Sequence, residues 1–132
     1  MATFFEPQIN FYVSDVERSV AFYTEHFGFR ETFRYPKTGE AKHVEVRLEG
    51  LVLGWSDVTA AIEDHGLPAV TSPHRAEICI KTDDVNALYE QLVAAGLPVI
   101  QPPQDFIGVL RGAWFADPDG GPVQIYQDLP LE

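Results

Sequence analysis

The chain has 132 residues, enough for one compact core, and its 45% hydrophobic content is too high for a disordered segment. Nine basic against twenty acidic residues leave a formal charge of −11, which argues against nucleic acid and anionic membranes as partners and favours a cationic small molecule. Nothing resembles a membrane span or a secretory signal, and the lone Cys79 cannot form an intramolecular disulfide, so the expected location is the cytoplasm.

Ile9, Phe11 and Val13 alternate with Gln8, Asn10 and Tyr12, which predicts a half-buried strand. Ser14 with Glu17 predicts a capping box, and Asp15 adds favourable charge there. Val16, Val20, Tyr23 and Phe27 predict the apolar face of a helix that Gly28 ends. Strands are expected over 29–34, 43–48 and 51–56, the last two linked tightly through Glu49-Gly50, with a loop at Pro36–Gly39. A connector over 58–75 holds a short helix at 58–64 and is broken by Gly66, Pro68, Ser72 and Pro73.

The order then repeats. A strand over 77–82 leads to a helix over 85–95, whose inward face is Val85, Leu88, Leu92 and Ala95. Short strands follow near 98–101, 111–116 and 122–126, with strong turn chemistry in Asp117-Pro118-Asp119-Gly120. Asp15-Val16 returns as Asp84-Val85, and Gly28 returns as Gly96. Two such halves, if they pair, build a groove between them, which is where a ligand is expected.

The chain resembles the vicinal oxygen chelate superfamily, which contains glyoxalase I, extradiol dioxygenases, fosfomycin-resistance enzymes and bleomycin-resistance proteins. The resemblance rests on Ser14-Asp15-Val16 after the opening strand, Ala21-Phe22-Tyr23 leading to Phe27-Gly28-Phe29, and Phe115-Ala116-Asp117-Pro118-Asp119-Gly120-Gly121-Pro122-Val123. It implies an α+β fold of two βαβββ modules forming a cup-shaped mixed sheet. The expected organisation is a single domain over 1–132, with module one at 1–57, the connector at 58–75 and module two at 76–132.

Metal-dependent relatives place four ligands on the inner face of the cup, and the resemblance puts these positions at Gln8, Gly54, Glu77 and Gln124. Gly54 offers no ligand, and one carboxylate with two amides makes a poor cage, so no metal or other cofactor is expected. His26, His43, His65 and His74 read as solvated surface residues. Cys79 reads as an inert lining residue, and the sequence displays no Ser-His-Asp or Cys-His arrangement.

If Ile9, Phe11, Val13, Ile78, Ile80, Val123 and Ile125 pack under the helices, the alternate residues face the cup. Those are Gln8, Asn10, Tyr12, Glu77, Cys79, Lys81, Gln124 and Tyr126, with Trp114 placed inward as well. Arg111 joins the candidate ligand-binding set, and Trp55 fits either face. An aromatic and amide lining suits a planar ligand, although each aromatic also fits a core or dimer-interface role. Antibiotic-sequestering relatives often carry a Trp-Gly pair before the last hairpin. Here Gly108-Val109-Leu110-Arg111 stands there, with Phe106 as the candidate replacement.

The resulting expectation is a non-catalytic, homodimeric protein of the bleomycin-resistance type, which sequesters an aromatic, antibiotic-like ligand in a groove completed by a second chain. Two alternatives stay open. One is a lyase, isomerase or dioxygenase with an altered metal set. The other is a metal-free enzyme with Glu77 as general base.

Overall fold

A computed structural model describes residues 3–71 and 76–130. The chain divides into two compact units, Met1–Thr71 and Ser72–Glu132. The first contains β1 (Gln8–Val13), α1 (Val16–Phe27), β2 (Arg30–Tyr35), β3 (His43–Leu48), β4 (Leu51–Asp57) and α2 (Val58–His65). The second contains β5 (Ile78–Lys81), α3 (Val85–Ala94), β6 (Val99–Phe106), β7 (Leu110–Ala116) and β8 (Pro122–Asp128). Each therefore shows the βαβββ order and a four-stranded mixed sheet. Strand order is β1-β4-β3-β2 in one and β5-β8-β7-β6 in the other. The first strand of each unit pairs in parallel with the last, and the remaining pairs are antiparallel. Among the described residues no helix is long and apolar enough to cross a membrane.

In the first unit α1 covers one sheet face, and Val16, Val20, Tyr23 and Phe27 are all buried. Trp55 settles into this core at 2% exposure, its ring stacked 5.0 Å from that of Tyr23 and 6.3 Å from that of Phe11. The two-way phase of Trp55 is thereby resolved toward the helix. Val44, Val46 and Leu53 complete that layer. In the second unit Val85 and Leu92 of α3 pack with Ala113, Phe115, Val123 and Ile125, all buried.

Several local features differ from the sequence reading. Asp15, rather than Ser14, is the N-cap of α1, its carboxylate accepting from Arg18 N at 3.0 Å. Asp84 repeats this contact with Ala87 N at 3.0 Å, so one short acidic cap opens both helices. Gly28 ends α1 in the left-handed conformation as expected. Ala95 is exposed and caps α3 rather than facing inward. Ile9 is 55% exposed because β1 lies at a sheet edge and only part of its length meets the core. Strand β6 continues through Pro102-Pro103 to Phe106. It tolerates the prolines because it is an edge strand with register shifts along it. His74, Ser72 and Pro73 lie outside the described residues.

Candidate functional site

Alternation in the first unit leaves the face opposite α1 to polar side chains. Parallel pairing sets Asn10 beside Gly54 and Tyr12 beside Ser56, while antiparallel pairing sets His43 beside Ser56 and Glu45 beside Gly54. Gln8 Nε2 donates to Asn10 Oδ1 at 3.0 Å and to Glu45 Oε2 at 3.1 Å. His43 joins Glu45 Oε2 through Nε2 and Ser56 Oγ through Nδ1, both at 2.8 Å. Burial works to raise the pKa of Glu45, but hydrogen bonds from Gln8 and His43 outweigh it and hold the carboxyl below its usual range.

This polar face opens into a cleft of about 310 Å³, bounded on one side by α2. Tyr12, Tyr35, His43 and Ser56 line it from the sheet, and Ala60, Asp64 and His65 line it from α2. Lys42 also lines the cleft and pairs with Asp64 at 2.9 Å. The volume falls at the lower end of the range of about 300–1,000 Å³ common for small-molecule sites.

In the second unit the corresponding face carries a different network. Trp114 Nε1 donates to Glu77 Oε2 at 3.1 Å. The Cys79 thiol lies 3.1 Å from Glu77 Oε1 and 3.2 Å from Gln124 Oε1, so its single proton is shared between two acceptors. Burial first, and then the Glu77 carboxylate, push the thiol up to about 11. Such a thiol is a poor nucleophile at neutral pH. Gln124 is only 7% exposed. Gly112 leaves room here, since a Cβ on it would lie 2.9 Å from both Gln124 Nε2 and Phe106 Cε1. The Phe106 ring sits 5.6 Å from Trp114, and Lys81 Nζ lies 5.6 Å from the Tyr126 ring centre.

The two networks are variations on one contact. In each, the first strand reaches over the last strand to the neighbour beyond it. Gln8 on β1 donates to Glu45 on β3, whereas Trp114 on β7 donates to Glu77 at the foot of β5. Donor and acceptor have changed places.

Most sequence-predicted site residues therefore fall into one of two groups, Gln8, Asn10 and Tyr12 in one unit and Glu77, Cys79, Trp114, Gln124 and Tyr126 in the other. Arg111 departs from the expectation. Its register places it on the α3 side with Ala113 and Phe115, where its guanidinium donates to Asn86 Oδ1 at 3.0 Å and Asp105 Oδ1 at 2.9 Å. His43 departs too, being half-buried and doubly hydrogen-bonded rather than solvated. With it comes a Ser56–His43–Glu45 chain that the sequence reading lacked. The signal was present: pairing Leu48 with Leu51 across the Glu49-Gly50 turn brings His43 opposite Ser56. His26 and His65 stand in the last turns of α1 and α2, with His65 lining the cleft.

The metal-ligand positions implied by the resemblance do not fit a divalent ion. A Cβ on Gly54 would run into Asn10 Oδ1 and lie 2.9 Å from His43 Cε1, so neighbours fill the space a ligand side chain needs. Gln8 turns its amide nitrogen to Glu45, and nitrogen of an amide is no metal donor. Glu77 and Gln124 direct their oxygens to Trp114 and Cys79. Among the described residues, no three His, Cys, Asp or Glu side chains gather as a ligand set.

The chain has clear likenesses among known proteins. A family model described as Glyoxalase/Bleomycin resistance protein/Dioxygenase superfamily matches residues 7–125. Over 70 residues the chain is 37% identical to the anthracycline biosynthesis protein DnrV of Streptomyces peucetius, a match covering 53% of this chain and 24% of that protein. The chain thus spans about a quarter of that curated relative's length. A glyoxalase/bleomycin resistance protein/dioxygenase from Nocardioides superposes with a TM-score of 0.79 at 22% identity, covering 100% of this chain and 88% of its own. TnmS3, an antibiotic binding protein from Streptomyces sp. CB03234, gives a TM-score of 0.70 at 25% identity, with 98% and 100% covered. Fold order, sheet topology and the family match agree, and the chain belongs to the glyoxalase/bleomycin resistance protein/dioxygenase superfamily.

Proposed function

We propose that this protein binds an aromatic, antibiotic-like small molecule and acts by sequestering it rather than by transforming it. The observation that carries this reading is the side-chain chemistry of the two polar faces. Acceptors and donors there are tied to one another, while aromatic rings border them. Tyr12 and Tyr35 border the cleft of the first unit, and Phe106 and Trp114 stand together in the second. Such a lining grips a planar ligand by stacking and orients it by hydrogen bonds. The naming of DnrV for anthracycline biosynthesis and of TnmS3 for antibiotic binding supports the same class of ligand. A net charge of −11 favours a cationic one.

A homodimer, with the second copy completing the groove, is part of this proposal. Edge strands β1, β2, β5 and β6 offer unpaired backbone groups, and Ile9 and Phe33 are exposed on two of them. Sedimentation equilibrium at micromolar concentration should give about twice the 14.8 kDa chain mass.

The binding test is a thermal-shift series with an anthracycline, a bleomycin and a neutral polycyclic arene. A ligand at a hundred times its Kd stabilises the folded state by about 2.7 kcal/mol, a shift of several degrees for a chain of this size. Absence of any shift, together with turnover of the compound, would favour the reading of Glu77 as a general base.

A further inference from the structure

We propose that the cleft of the first unit reads a phenolic hydroxyl, so that the aromatic ligand is a hydroxyarene held by the Ser56–His43–Glu45 relay. This rests on the binding function proposed above and specifies the ligand's chemistry.

Glu45 is the anchor. An ionised carboxylate only accepts, so in the neutral His43 ring the contact at 2.8 Å places the proton on Nε2. Nδ1 is then left with a lone pair, directed at Ser56 Oγ 2.8 Å away. The Ser56 hydroxyl gives its proton to Nδ1 and keeps lone pairs of its own. Both atoms belong to residues lining the cleft. This part of the cleft therefore offers an acceptor, His43 Nδ1, that a ligand O–H satisfies by displacing Ser56 from it.

The remaining lining agrees with that choice. Asn10 accepts from Gln8 through its carbonyl oxygen, and its amide N–H groups are there to donate to a ligand. A phenol oxygen both donates and accepts, matching acceptors on one side and amide donors on the other. A methyl ether in the same place accepts only, and cannot displace Ser56 from His43 Nδ1. Tyr12 and Tyr35 supply aromatic surface for the ring that carries the hydroxyl. Sites built around a ligand hydroxyl discriminate strongly against analogues without it, and less so where water has access.

The test compares 7-hydroxycoumarin with 7-methoxycoumarin by isothermal titration against the full chain. The hydroxy compound should bind at least about tenfold tighter. His43→Phe should abolish that preference while leaving the methoxy compound's affinity within about twofold. Should His43→Phe fail to fold, Glu45→Gln serves instead: its amide can donate to Nε2, which moves the ring proton to Nδ1 and removes the acceptor, so the preference should again collapse. Ser56→Ala should keep the preference or enlarge it, because Nδ1 is released to the ligand.

Equal affinity for the two coumarins overturns the hydroxyl reading while leaving aromatic binding intact. Preference that survives both His43→Phe and Glu45→Gln overturns it as well. If neither coumarin binds but the anthracycline still raises the melting temperature, this inference alone falls. If no aromatic compound gives a response, the binding function falls with it.

Discussion

Gly54 sits where the family resemblance expects a ligand side chain, and adding even a methyl group there has a calculable cost. A Cβ would meet the end of the Asn10 side chain and the Cε1 edge of His43 at 2.9 Å. Asn10 can swing aside by surrendering its exposed hydrogen bond to Gln8. His43 is less free, because contacts at 2.8 Å pin both ring nitrogens. Losing or lengthening one of those bonds costs about 0.5–1.5 kcal/mol. Against this, alanine gains roughly 0.5–1 kcal/mol over glycine in a strand through reduced backbone entropy. With a smaller loss from Asn10 added, Gly54→Ala should destabilise the protein by about 1 kcal/mol. Urea denaturation followed by far-ultraviolet circular dichroism measures this directly. In the Asn10→Ala/Gly54→Ala double variant the nearest obstacle is gone, and a favourable coupling of about 0.5 kcal/mol or more is expected. The His43 Cε1 proton resonance should move in Gly54→Ala. Full additivity of the two substitutions, with that resonance unmoved, would refute the close-packed account of the glycine.

Other expectations concern the second unit and the caps. Cys79, with its thiol pushed up to about 11, should react with iodoacetamide at pH 8 about a hundredfold more slowly than an ordinary thiol, its rate rising until the pH exceeds about 11. Because the folded state holds this proton more tightly than the unfolded chain, stability should fall as pH climbs from about 9 to 11, an effect absent in Cys79→Ser. Trp114→Ala should weaken binding of a planar aromatic ligand that stacks in the second unit about tenfold or more while leaving the fold intact, whereas a hydroxyarene seated in the first unit's cleft should bind the variant as before. Titration of any thermal-shift hit will show which. Nickel, zinc, iron(II) and manganese should each leave the melting temperature within about 1 °C. Asp15→Ala and Asp84→Ala should each cost about 1 kcal/mol in urea denaturation through loss of an N-cap.

Element order was legible because period-2 alternation and the 3.6-residue stripe are local. Val16, Val20, Tyr23 and Phe27 announce the helix face by themselves. Edges were harder to see. Ile9 has the same alternation as a central strand residue, and only the strand order reveals that little covers it. Pro102-Pro103 looked like an end because proline cannot donate to a ladder, yet an outermost strand needs no donor on its free side. The lining of the second unit could be read from phase alone, and the same alternation, carried back from an inward Trp114, sets Arg111 on the opposite face with Ala113 and Phe115, where Asn86 on α3 accepts from it. His43 was missed for a similar reason: its partners lie on two strands, and only the register past Glu49-Gly50 unites them.

The reversed contact, Gln8 to Glu45 in one unit and Trp114 to Glu77 in the other, bears on how the repeat can be altered. Related halves that trade the roles of two partners keep a complementary couple while exchanging the identities of its members. Polarity is then a property of the couple, and single replacements judged residue against residue misstate the constraint. Gln8→Glu alone sets carboxylate against carboxylate, but Gln8→Glu with Glu45→Gln restores one giver and one taker. A library that recombines the two halves should accordingly move both members together, because a chimera joining the first strand of the second unit to the third strand of the first would set Glu77 against Glu45 with neither Gln8 nor Trp114 to donate between them.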